Sequence, residues 1–175
     1  MPTVAIIGAG PLGRWLALEA ARAGFSVLLE DVMPSNLHHA QEALRAVLGP
    51  DAMPKVEFVS TIEDAVRHAD LVIDCVPDEL ESKLEILWLL DRMAPPRTVL
   101  ATPTTRLSIA DLASCTYRPA QCIAIAQEAS SLAANAGGEI LLRTTSRTSP
   151  ETVALVEHFW RQLGFTPRFE LDPEE

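Results

Sequence analysis

Short apolar runs recur along the chain, most of them followed by a longer stretch whose apolar residues return every three or four positions. The short runs predict strands near residues 3–7, 25–30, 56–59, 70–75, 98–101, 121–126, 139–142 and 165–169. The longer stretches predict helices near 11–23, 34–48, 62–67, 79–93, 108–113 and 151–163, with Pro34 and Pro150 at helix starts and Gly24, Gly49 and Gly164 as stops. Strands and helices in alternation imply an α/β fold, a doubly wound, mostly parallel sheet with helices on both faces. Residues 1–170 read as a single domain and 171–175 as an acidic tail, frayed from Asp172 to Glu175. Two segments break the rhythm. The small-residue stretch 129–138 (ASSLAANAGG) has neither period and predicts a mobile loop. In Leu84 to Asp91 (LEILWLLD) the apolar residues are nearly continuous, so Trp88 and Leu89 are expected to protrude as a subunit interface; the alternative buries this helix under the last one, against Val153, Val156 and Trp160.

The first strand runs into Gly8-x-Gly10-x-x-Gly13, which opens a helix, and the second strand ends in Glu30 and Asp31. That is the setting a dinucleotide fingerprint requires. Gly8 permits the tight turn, Gly10 lets the backbone approach a pyrophosphate, and Gly13 lets helix and strand pack closely. The helix N-terminus then faces the anion. Asp31 stands where a Rossmann-type unit places the carboxylate for the adenosine ribose hydroxyls. Glu30 adds a second acid, and the next arginine along is Arg45, so the pattern favours NAD over NADP.

The 175 residues are 48% hydrophobic, enough for a good core. A net charge of −10 and a pI near 4.8 argue against nucleic acid or an anionic membrane as partner. No apolar run is long enough to span a bilayer, and the N-terminus has no signal-peptide pattern, so a cytoplasmic location is expected. Cys75, Cys115 and Cys122 lack C-x-x-C spacing and read as buried, reduced core thiols, with no metal site implied. His38, His39, His68 and His158 read as surface residues.

From the fourth strand onward the resemblance becomes specific. Residues 69–83 (ADLVIDCVPDELESK), 90–96 (LDRMAPP) and 101–109 (ATPTTRLSI) are similar to the NAD-binding domain of 3-hydroxyacyl-CoA dehydrogenases, and the likeness continues through Arg118-Pro119, Pro150 to Val153 and Leu163 to Pro167. The resemblance implies a Rossmann domain that binds NAD, with Gly8, Gly10, Pro11, Leu12, Gly13, Asp31, Val76, Pro77, Asp78 and Lys83 as the cofactor-binding positions. It also implies an acyl-CoA substrate, a histidine base, a glutamate to orient it, and a following helical domain that closes the cleft and forms a dimer. The family's Asn-Thr-Ser-Ser run is here Pro103-Thr104-Thr105-Arg106, leaving Thr105 to keep the hydroxyl. Ala126 falls on the histidine. The orienting glutamate matches Glu139 across a loop one residue longer, and Glu128 is the local carboxylate able to stand in as base.

Three functions fit this pattern. The first is an NAD(H)-binding homo-oligomer, weak or silent alone because a positioned base typically contributes about 10²–10⁴-fold. The second is an active oxidoreductase for a hydroxyacyl or small hydroxy substrate, with Thr105 and Glu128 or Glu139 completed by another subunit. The third is a non-enzymatic NADH-sensing or docking module using the Trp88 surface.

Overall fold

The computed structural model describes residues 1–173. The strands are β1 (Thr3–Ile7), β2 (Ser26–Glu30), β3 (Val56–Val59), β4 (Leu71–Asp74), β5 (Val99–Pro103), β6 (Cys122–Ile125), β7 (Glu139–Thr144) and β8 (Thr166–Leu171). The helices are α1 (Pro11–Arg22), α2 (Pro34–Val47), α3 (Ile62–Val66), α4 (Leu80–Met93), α5 (Ile109–Ser114), α6 (Ala129–Ala134) and α7 (Pro150–Gln162). The strands form one sheet in the order β3-β2-β1-β4-β5-β6-β7-β8, parallel throughout except where β7 runs antiparallel to β6. The strand order reverses between β1 and β4, so a crevice is expected beyond the C-terminal ends of those strands.

Period-2 alternation sends neighbouring residues of β1 to opposite faces: Val4 and Ile6 join the core under α1, α2, α6 and α7, whereas Ala5 and Ile7 join the core under α3, α4 and α5. On the first face an aromatic chain knits α1 to α7 and to the turn that leads into β8. Trp15 and Trp160 both meet Phe165 edge-on, at 6.0 and 5.3 Å between ring centres, and Trp160 also meets Phe159 at 5.3 Å. Each buried ring of this kind contributes about 1.5–3 kcal/mol. On the second face Arg118, 7% exposed, fastens the C-terminal end of α4. Its Nε donates to Asp91 at 2.8 Å, and its other nitrogens donate to the carbonyls of Asp91, Ala94, Pro95 and Thr98.

Several expectations are corrected. Residues 129–134 form α6; with Leu132 alone buried, so short a helix shows no readable period. Gly24 and Gly164 take positive φ at helix ends, but Gly49 does not, because α2 already ends at Leu48 in extended conformation. Asp172 is docked, not frayed: its carboxylate accepts from the Ser108 hydroxyl and the Ala110 N–H at the start of α5, at 2.9 and 2.8 Å. Glu174 and Glu175 lie outside the described residues. Leu89 turns inward, and only Trp88 protrudes, 55% exposed, with the Arg92 guanidinium 4.6 Å above its ring. The packing of α4 against Val156 and Trp160 is also excluded, since those residues lie across the sheet. The cysteines are free, but Cys115 is exposed and Cys75 half-buried. All four histidines are exposed. Among the described residues no helix is long and apolar enough to cross a membrane.

Candidate functional site

The glycine loop is built as its spacing requires. Gly8 sits at φ 102°, a conformation that L side chains rarely adopt. A Cβ on Gly13 would lie 1.8 Å from the Gly8 carbonyl oxygen, so α1 can pack here only without one. At Gly10 an added Cβ would meet nothing within 4 Å; the space above it is open, and the first turn of α1 carries no acidic residue. A pyrophosphate fits that opening at the helix N-terminus.

Asp31 braces the loop from the end of β2. One carboxylate oxygen accepts from the Ala9 N–H at 2.9 Å and from Asn36 at 3.2 Å, and the other accepts from the Met33 N–H at 2.9 Å. Beside it a cavity of about 340 Å³ opens between the ends of β1 and β2 and the flank of α4. Gly8, Glu30, Asp31, Val76 and Pro77 contribute to its wall, with Ser82, Glu85, Ile86 and Leu89 facing it from α4. This cavity is largely apolar, carries three carboxylates, those of Glu30, Asp31 and Glu85, and among the described residues has no lysine or arginine in its lining.

Glu30 is 5% exposed, with its carboxyl at the cavity wall. Burial, then the charge of Asp31, push that carboxyl up to about 7 against the opposing hydrogen bond from Gly8. The folded state therefore holds a proton that the unfolded state gives up near 4.5, and stability falls as pH rises from about 4.5 to about 7. Glu30→Gln removes this dependence. Melting curves should show the variant more stable than wild type above pH 7, by about 1–3 kcal/mol, and the two alike at low pH.

On the other side of the β4–α4 turn, a second cavity of about 570 Å³ lies over the ends of β5 and β6. Val76 and Pro77 belong to both, so the two chambers are halves of one crevice. Leu12, Asp78, Thr105, Arg106, Gln127 and Glu128 also line this second chamber. Asp78 is fully engaged, accepting from the Thr104 hydroxyl at 2.5 Å and the Thr105 N–H at 3.1 Å.

Two candidate positions stand elsewhere. Lys83 is 0% exposed and its Nζ lies 2.7 Å from Asp74 Oδ1, so it supports the crevice from behind without reaching a ligand. Burial pushes the Asp74 carboxyl above the usual carboxylate range, and the Lys83 charge pulls it back. Glu139 is exposed at the start of β7 and ion-paired to Arg168 at 2.5 Å, away from the cavity lining. The residue beside Ala126 is Leu141: the Ala126 N–H donates to the Leu141 carbonyl at 2.9 Å. β6 ends at Ile125, and beyond it the Gln127 side chain reaches across to β7, its Oε1 accepting from the Leu141 N–H at 2.9 Å. The sequence reading missed the α4 wall, although Ser82, Glu85, Ile86 and Leu89 recur at the spacing of one helix face. It also missed Arg106 and Gln127 as lining residues.

A doubly wound sheet, a glycine loop opening a helix, and a two-chambered crevice at the switch point define a dinucleotide-binding domain of Rossmann type. Residues 3–168 match the family described as 3-hydroxyacyl-CoA dehydrogenase, NAD binding domain, and the chain belongs to that family. It is therefore an NAD-binding domain. It is 33% identical over 133 residues to a probable 3-hydroxybutyryl-CoA dehydrogenase of Bacillus subtilis, covering 69% of this chain and 46% of that protein. It is 28% identical over 174 residues to the 5-formyl-3-hydroxy-2-methylpyridine 4-carboxylate 5-dehydrogenase of Mesorhizobium japonicum, covering 94% of this chain and 55% of the relative. Among solved structures, the 3-hydroxyacyl-CoA dehydrogenase of Archaeoglobus fulgidus superposes with a TM-score of 0.80 at 27% identity, over 98% of this chain and 57% of that one. The chain thus spans about half the length of these relatives.

Proposed function

We propose that this chain binds NAD(H) across the crevice, adenosine in the first chamber and nicotinamide toward the second, and that by itself it is silent or very weak as a 3-hydroxyacyl-CoA dehydrogenase. The pairing of Ala126 with Leu141 carries this reading. Oxidising a 3-hydroxyl requires its proton to leave as the nicotinamide accepts hydride. The two strand-end side chains where the resemblance implies a base are a methyl and an isobutyl group, which hold no proton. With Glu139 tied to Arg168, the remaining unengaged carboxylate in the second chamber is Glu128.

Glu128 and Thr105 sharing that chamber supports a second reading, an oxidoreductase for a small hydroxy substrate with Glu128 as base. The names of the relatives, a CoA thioester enzyme in one case and a pyridine carboxylate enzyme in another, fit a domain that serves more than one substrate class. Incubation with NAD and, in parallel, 3-hydroxybutyryl-CoA or free 3-hydroxybutyrate, followed by NADH absorbance, separates the two. Absorbance at the blank level is the expected result. Sustained turnover that disappears in Glu128→Gln would establish the second reading instead.

A further inference from the structure

We infer that the second chamber is a subsite for a small monocarboxylic oxo or hydroxy acid, with Arg106 as the residue that recognises the carboxylate. Among the described residues lining the two chambers, Arg106 is the single cation. It is held at the rim by one bond, from Nη2 to the Asp78 carbonyl at 2.7 Å, and no carboxylate lies within 4.0 Å of it among the described residues. A guanidinium presents five N–H donors in a planar fork, so Nε and Nη1 remain for a bidentate partner.

The neighbouring groups are donors too. Both Asp78 oxygens are satisfied by Thr104 and Thr105. The Gln127 Oε1 is taken by Leu141, which leaves its amide NH₂ to donate. The Thr105 side chain adds a hydroxyl. A ligand rich in acceptor oxygens answers this set, and a carboxylate with an adjacent carbonyl or hydroxyl supplies them. Glu128 is the opposing charge whose carboxylate has no partner among the described residues of the same lining, beside Asp78, whose carboxylate is bonded to Thr104 and Thr105. A monocarboxylate can place its acid on Arg106 and its uncharged end toward Glu128, whereas a dicarboxylate sets its second charge against that residue. The chamber thus selects for charge number as well as sign.

This inference rests on the dinucleotide reading only for the orientation of the acid toward the nicotinamide, so binding is tested with and without NADH. The probes are acetoacetate, its uncharged counterpart pentane-2,4-dione, and the dicarboxylate acetone-1,3-dicarboxylate, each titrated calorimetrically. Acetoacetate is expected to bind at least about tenfold more tightly than either comparator, as one charge-assisted bidentate pair allows. Its affinity should fall with added salt, drop about tenfold or more in Arg106→Ala and be partly kept in Arg106→Lys. Arg106 is exposed, so both variants should fold. Absence of acetoacetate binding, equal binding of the dione, or full acetoacetate affinity in Arg106→Ala would overturn the inference. Failure of NADH alone, with acetoacetate still bound through Arg106, would remove the dinucleotide reading and leave the acid subsite standing.

Discussion

Gly13→Ala should both destabilise the protein, by about 2–3 kcal/mol, and weaken NADH binding at least about tenfold. The added Cβ would stand 1.8 Å from the Gly8 oxygen and 2.9 Å from its carbonyl carbon, both backbone atoms. Neither can rotate aside, so α1 must move away from the turn that it and β1 share. The helix N-terminus, where the pyrophosphate is proposed to bind, moves with it. Gly10→Ala makes the informative contrast. Nothing lies within 4 Å of that Cβ, so the fold should lose less than about 1 kcal/mol, the difference between glycine and alanine at an N-cap. The methyl group would instead occupy the space left for the ligand. Denaturation curves and NADH titrations on the pair should show stability and binding lost together in Gly13→Ala, and binding lost alone in Gly10→Ala. Unimpaired NADH binding in Gly10→Ala would show that the pyrophosphate does not cross this loop.

Lys83→Met should be the more damaging substitution to stability, by about 3–5 kcal/mol, because it leaves Asp74 as an uncompensated charge in the core. Both side chains are about 1% exposed. The Asp74 Oδ2 and the Thr102 hydroxyl are already buried without a hydrogen-bond partner of normal geometry, although Thr102 lies close enough to favour the charged carboxylate. With the ammonium gone, burial raises the Asp74 pKa further. The folded state then binds a proton that the unfolded state does not, and the variant loses stability as pH rises through that window. The deficit is therefore smallest in acid. Adding Asp74→Leu to Lys83→Met should restore most of the loss, since an apolar pair of similar volume replaces the ion pair without a stranded charge. Urea titrations of the two single variants and the double variant measure this coupling. A double variant as unstable as Lys83→Met alone would show that the cost is one of packing.

The dinucleotide loop was legible in the sequence because its constraints act on the backbone, and backbone constraints leave glycines at fixed spacing. Asp31 was legible for a related reason: a strand end of known length sets its place. What could not be read depended on contacts between distant segments. Lys83 is placed among the cofactor-binding positions by the resemblance, and only the fold turns its side chain back onto Asp74. The apolar residues of α4 run almost without a break, so their pattern alone does not separate Leu89, which faces the first chamber, from Trp88, which faces outward; only the spacing that Leu89 shares with Ser82, Glu85 and Ile86 does. Glu139 was placed by the resemblance, across a loop before β7 whose path the sequence does not fix. The antiparallel register, set where that path ends, put Leu141 beside Ala126 and carried Glu139 to the exposed edge with Arg168. Arg118 shows the same limit, since its carbonyl partners belong to a helix end more than twenty residues earlier in the chain.

The most direct test of the account is a titration of the folded chain with NADH and, separately, NADPH, following tryptophan quenching and energy transfer to the nicotinamide. Trp15 lies in α1, the helix whose first turn is proposed to face the pyrophosphate. NADH should bind saturably, and NADPH on the order of 100-fold more weakly, because a 2′-phosphate would meet the carboxylates of Asp31 and Glu85, with no cation among the described lining residues to receive it. Equal affinity for the two dinucleotides, or no saturable NADH signal from the folded protein, would contradict the reading of this crevice as an NAD site.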